Sequence, residues 1–115
     1  MTVDDWEKPS GQTCTIGRHT WGVSRLLALA KELPVQEVSI DAIYMDMKLS
    51  DDGKLRDMAM HFKAVMATSL DCPIILDEDG GLMDGRHRIV RALIEGAKTI
   101  KFVRFEKNPT PDKTE

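Results

Sequence analysis

The sequence predicts an α/β (α+β) fold, a small mixed β-sheet packed with helices, on three observations. Apolar runs of strand type alternate along the chain with segments whose apolar residues recur at helical spacing. Ile74-Ile75-Leu76 is a continuous apolar run, the pattern of a strand covered on both faces, so a sheet with layers on each side is expected. At 115 residues and 42% hydrophobic content the chain has material for one modest core and none for a second domain behind it.

Taken in order, residues 1–14 are expected as a flexible lead-in, because Asp, Lys, Pro, Ser and Gly dominate them. The domain is expected over residues 15–106. Thr20 or Ser24 is positioned to cap a helix whose apolar residues Val23, Leu26, Leu27 and Ala30 repeat at helical spacing, and Pro34 stops it. Val35 to Ile40 alternates apolar and polar residues, as a half-buried strand does. A polar, turn-rich stretch from Asp46 to Gly53 follows. Leu55, Met58, Ala59, Phe62 and Met66 then form the apolar stripe of a second helix, expected to face the core. After the buried strand at Ile74, Asp77-Glu78-Asp79-Gly80-Gly81 is a hairpin signal, since paired glycines supply positive φ. Leu82-Met83 returns toward a third helix, from about Arg86 to Glu95, which ends at Gly96. Thr99 to Phe105 is the last strand, and residues 107–115 are expected as a disordered tail.

Composition narrows the function classes. A net charge of -3 gives no global sign of nucleic-acid binding, although Arg86, Arg88, Arg91, Lys98, Lys101 and Arg104 face one acid, Glu95, over the same stretch. Cys14 and Cys72 are isolated thiols, which argues against a disulfide scaffold or a zinc ribbon. The acidic N-terminus lacks the apolar run of a signal peptide, and no stretch approaches the ~20 apolar residues that span a bilayer. A cytoplasmic location with no membrane partner is the resulting expectation.

The chemistry concentrates at Asp84-Gly85-Arg86-His87-Arg88. The first turn of a helix leaves backbone N–H groups without intrahelical partners and carries a partial positive charge, so it accepts anions. A glycine before that turn lets backbone approach a ligand closely, and guanidinium groups match the paired oxygens of phosphate. Asp84 either caps the helix or stands beside the ligand. His87 either donates to phosphate when protonated or packs at the helix start. For His61, off the apolar stripe, a surface role is preferred to a cleft-facing one; Glu37, on the first strand, is a second candidate acid–base group.

The apolar strand, hairpin, Asp84-Gly85-x-His87-Arg88 turn, helix and closing strand resemble the ParB/sulfiredoxin-like domain family, in particular small stand-alone ParB-like proteins. The resemblance covers roughly residues 35 to 106. It implies that Gly85, Arg86, His87 and Arg88 form a nucleotide phosphate site, for a ligand of the ATP or CTP class. It also implies a metal-binding or catalytic role for Asp84, where a magnesium ion bridging carboxylate and phosphate oxygens would fit. Arg86 stands where sulfiredoxins carry their reactive cysteine, so sulfinic-acid reductase chemistry is not expected. The arginine motif and downstream helix-turn-helix of chromosome-segregation ParB proteins have no evident counterpart, so a DNA clamp is not expected either.

The leading expectation is therefore a nucleotide- or phosphate-binding protein whose implied chemistry is divalent-ion-dependent NTP hydrolysis or phosphotransfer. A nucleic-acid-binding or nuclease module ranks second, on the basic run, and lacks an aromatic stacking row at 5% aromatic content. A noncatalytic partner-binding protein is the third.

Overall fold

The computed structural model describes residues 13–115. Its elements are β1 (Thr13–Ile16), β2 (His19–Gly22), α1 (Val23–Ala30), β3 (Gln36–Ser39), α2 (Leu55–Ala67), β4 (Ile74–Leu76), β5 (Leu82–Asp84), α3 (Arg86–Ile94), β6 (Thr99–Arg104) and β7 (Lys113–Thr114). A 3₁₀ turn, Ile40–Ala42, follows β3.

Four strands form a mixed sheet in the order β3-β6-β4-β5, with β4 and β6 parallel and the outer pairs antiparallel. Alternate side chains of the central strands feed two cores. Ile75 and Val103 pack with Trp21, Leu26 and Met83 on the face covered by α1 and the β1–β2 hairpin. Ile74, Leu76 and Ile100 pack with Ile40, Ile89 and Ala92 on the face covered by α3. All three residues of β4 are buried, as expected of a strand covered on both sides. The mixed α/β architecture is thus the one that the sequence predicts.

Three local expectations are corrected. The first is the lead-in: residues 1–12 lie outside the described residues, but β1 starts at Thr13 and Cys14 is buried within it. β1 pairs with β2, so Thr20 is a strand residue rather than a helix cap. The N-cap of α1 is instead Gly22, whose N–H donates to Asp112 Oδ2 at 2.7 Å.

The second is the tail. Lys113 and Thr114 add β7 to the edge of β2, and Trp21 Nε1 donates to Pro109 O at 2.9 Å. Arg25 ties to the same segment through Asp112 and Thr110 O. Composition reads as disorder here because the partners are all distant in sequence. The buried Trp21 needs a cover for its ring and an acceptor for its N–H, and the returning segment supplies the acceptor.

The third is the orientation of α2. Leu55 is 91% exposed, Met66 58% and Phe62 46%, whereas Val65 is fully buried. α2 packs on α3 rather than over the sheet. The residue turned inward, one position before Met66, lies about 100° around the helix from it. Periodicity locates an apolar arc, but the neighbouring element decides which arc is covered.

Candidate functional site

β5 ends on Asp84, and the chain then reverses through Gly85 into α3. Gly85 has φ +117°, a conformation that costs a side chain roughly 1–2 kcal/mol. A Cβ there would also lie 2.5 Å from Ile74 Cγ2 and 2.8 Å from Ile74 Cβ, on the neighbouring strand β4. Only glycine lets the turn rest on β4. Ile89 N donates to Gly85 O at 3.1 Å, so the helical ladder starts at this residue. As the N-cap, Gly85 has no side chain to offer the first-turn N–H groups.

That turn forms one wall of a cavity of about 300 Å³. Thr13, Cys14 and Thr15 of β1 face Asp84, Gly85, Arg86 and His87 across it. A volume of this order is at the small end of ligand pockets, which run to ~1,000 Å³, and suits phosphate groups better than an enclosed base. Burial, followed by the charges of Asp84 and Asp77, pushes the Cys14 thiol up to about 11. Cys14 is therefore a neutral thiol at the wall, without nucleophilic character near neutral pH.

The five expected site residues divide. Arg86 and His87 line the cavity with Gly85 and Asp84. Arg86 Nη1 donates to Lys48 O, which ties α3 to the polar loop before α2. Arg88 is only 4% exposed and does not line the cavity; its Nη1 lies 3.7 Å from Asp84 Oδ2, a buried i,i+4 ion pair. Arg88 so holds the carboxylate of Asp84 beneath the turn. Among the described residues no group of three or more His, Cys, Asp or Glu converges as a metal site. Asp84 is the one acid among the described residues that line the cavity, and a lone carboxylate holds magnesium only with phosphate oxygens completing the shell.

The structure adds a cluster that sequence reasoning missed. His61 Nδ1 and His87 Nε2 are 2.8 Å apart, and the ring centroids 5.1 Å. The other ring nitrogen of His61 lies 3.5 Å from Asp57 Oδ2, which accepts from the buried Ser50 hydroxyl. Gly53 N donates to Ser50 Oγ at 3.0 Å, fixing the hydroxyl in the loop. Ser50, Asp57, His61 and His87 thus form a line from the loop through α2 to the cavity wall. A second cavity, about 220 Å³, borders it with Asp51, Asp52, Asp57, His61 and Arg86. His61 is on the inner edge of α2, against the expectation of a surface residue. Its position off the apolar stripe was the available signal, and the unexpected rotation of α2 explains the miss.

Glu37 is not part of the site. It sits on β3, at the opposite sheet edge from β5, where Thr99 Oγ1 donates to it at 3.3 Å. The basic run is largely spent inside the molecule. Arg91 bonds to Glu95 and to Met66 O, and Arg104 to Glu78 O; Arg86 and Arg88 are engaged as described. No helix among the described residues is long and apolar enough to cross a membrane.

No protein-family model matches this chain, and no curated protein matches it. The chain is similar to a solved structure described as a Pnob8-like ParB-N domain, with a TM-score of 0.44 and 22% identity. The similarity covers 63% of this chain and 29% of that one, so this chain spans less than a third of that length.

Proposed function

We propose that this protein binds a phosphorylated ligand of the nucleoside-triphosphate class, ATP or CTP, with its phosphates on Gly85, Arg86 and His87. The observation that carries the reading is the cavity at the start of α3. A glycine turn there supplies no side-chain cap, and Arg86 and His87 line the same wall. Helix-terminal N–H groups, a guanidinium and an imidazole are complementary to phosphate oxygens. Arg88, expected as a direct contact, acts in this reading by holding Asp84 in place. Magnesium would arrive with the phosphates and meet Asp84 as the protein carboxylate. The chemistry implied by that arrangement is NTP hydrolysis or phosphotransfer.

Isothermal titration of the full chain with ATP, CTP and ADP, each with and without magnesium, tests the reading. Saturable binding of at least one nucleotide is expected, and Arg86→Ala should weaken it about tenfold or more, the loss of a charge-assisted hydrogen bond to phosphate. Unchanged heats for all three at high micromolar protein overturn it. Release of inorganic phosphate from the bound nucleotide separates an enzyme from a noncatalytic binding protein.

A further inference from the structure

We propose that Asp112 is a positioning residue for the phosphate cavity. Through the Gly22 N–H it holds the wall opposite Arg86 and His87, so ligand binding and docking of the C-terminal segment favour one another. This rests on the proposed phosphate site and names how that site is regulated.

The two walls of the cavity are supported differently. The Gly85 turn rests on β4, a buried strand inside the four-stranded sheet. The facing wall is β1 together with Val23, the first residue of α1. β1 is paired with β2 in the separate sheet β1-β2-β7. What holds β2 therefore holds that wall.

β2 is held from the far end of the chain. Asp112 N donates to Thr20 O at 2.8 Å, and Glu115 N donates to Arg18 O at 2.9 Å. Asp112 Oδ2 accepts from Gly22 N at 2.7 Å, and its Oδ1 accepts from Arg25 Nη1 at 3.2 Å. One carboxylate so grips both the N-cap of α1 and the third residue of that helix. α1 has no side-chain cap from its own N-cap residue, and Asp112 brings a negative charge to the helix start from 90 positions away. Val23 comes next, 3% exposed and on the cavity. Where Gly22 is fixed, the wall is fixed.

This hold is specific in geometry but easily opened. Arg25 and Asp112 are 40% and 46% exposed, and both residues of β7 are exposed, so the segment belongs to the parts of a fold that open locally before the core does. Two states result, one with the segment docked and the wall in place, the other with the segment released and Gly22 unheld. A phosphate seated between the walls favours the first, and by linkage the docked segment favours the phosphate by the same factor.

The sign of the Asp112→Ala effect separates positioning from electrostatics. Asp112 is negative and neutralises Arg25, so its loss, by charge alone, strengthens binding of an anion or leaves it unchanged. Positioning predicts the opposite.

Isothermal titration of the full chain with ATP, and amide hydrogen exchange with and without ATP, test the proposal. Asp112→Ala should weaken ATP binding about fivefold or more, the lower end of coupling between sites. Asp112→Asn, which keeps an acceptor for Gly22 N–H, should stay within about twofold of the unaltered protein. In the unaltered protein ATP should slow exchange of the Gly22 and Asp112 amides by the same factor of about five or more. Equal or tighter binding by Asp112→Ala, or an Asp112→Asn variant as weak as Asp112→Ala, overturns the assignment to Asp112. Unchanged exchange at Gly22 and Asp112 with ATP bound overturns the coupling and leaves the phosphate reading standing. Absence of ATP binding to the unaltered protein overturns that reading and the coupling with it. Should Asp112→Ala fail to fold, exchange in the unaltered protein decides.

Discussion

Gly85→Ala separates the structural demand of the turn from its role toward a ligand. The added Cβ would lie 2.5 Å from Ile74 Cγ2, 2.8 Å from Ile74 Cβ and 3.1 Å from the Ile74 backbone. The first contact yields to a rotamer change, but the third does not, because β4 is the buried centre of the sheet. Overpacking of this kind costs about 1–3 kcal/mol, and a side chain at φ +117° adds about 1–2 kcal/mol. The sum, about 2–5 kcal/mol, is a large part of the ~5–15 kcal/mol that stabilises a domain of this size. Gly17→Ala is the control: Gly17 has φ +61° and no atom within 4 Å of its added Cβ. Both variants share the gain from a stiffer unfolded chain, but +61° lies in the left-handed region that L residues enter and +117° outside it, so their difference, at least about 1–3 kcal/mol, carries the packing term together with the added backbone strain at Gly85. Urea unfolding of the two variants and the unaltered protein measures it, and thermal midpoints should separate by roughly 4–12 °C. Equal stabilities of Gly85→Ala and Gly17→Ala, within about 0.5 kcal/mol, would refute the claim that the turn rests on β4.

Three further outcomes follow from the same geometry. Arg88→Met should cost about 3 kcal/mol, because it leaves Asp84 buried without that guanidinium, and Asp84→Leu in the same chain should recover part of the loss in denaturant unfolding. Asp112→Ala should cost about 1 kcal/mol by removing the acceptor for Gly22 N–H at the start of α1, and deleting residues 108–115 should cost more by removing the Trp21 Nε1 acceptor and strand β7 as well, both read from urea midpoints. The Cys14 thiol, raised from 9.0 to about 11 in the folded state, stays protonated there while the unfolded chain ionises; unfolding stability should therefore fall across pH 9 to 11, by about 2–3 kcal/mol, and Cys14→Ala should abolish that component of the alkaline loss.

The sheet was legible because its evidence is local. Ile74-Ile75-Leu76 carries the two-sided burial of β4 in three residues, and Asp77 with Gly80 and Gly81 announces the hairpin that returns to β5. Asp77 Oδ1 accepts from Asp79 N and Gly81 N, the hydrogen bonds that such a turn residue is suited to make. What escaped was decided by the partners of each segment rather than by its own pattern. Thr13–Ile16 and His19–Gly22 are short and largely polar, and only pairing makes them strands. The residues 107–115 read as disorder because the Trp21 ring and the Gly22 N–H that hold them lie 88 and 90 positions away. The rotation of α2 is of the same kind: its stripe is real, but α3 occupies a different side of the helix.

The site shows the same division at smaller scale, and it changes how the turn must be read. Asp84-Gly85-x-His87-Arg88 identifies the segment without telling which residue faces inward. Helical geometry settles that question once β4 is in place. Gly85 is pressed on Ile74, and Arg88, one turn along the buried side with Ile89 and Ala92, points under the turn to Asp84. Arg86 and His87 occupy the remaining arc and reach the cavity. Structural and ligand-facing duties thus fall on different residues of one five-residue motif. Substitutions at Gly85 and Arg88 should therefore be read first as losses of stability, whereas those at Arg86 and His87 report on the ligand. The His61 partner of His87 follows from the same arc, since the residue that faces the cavity also faces α2.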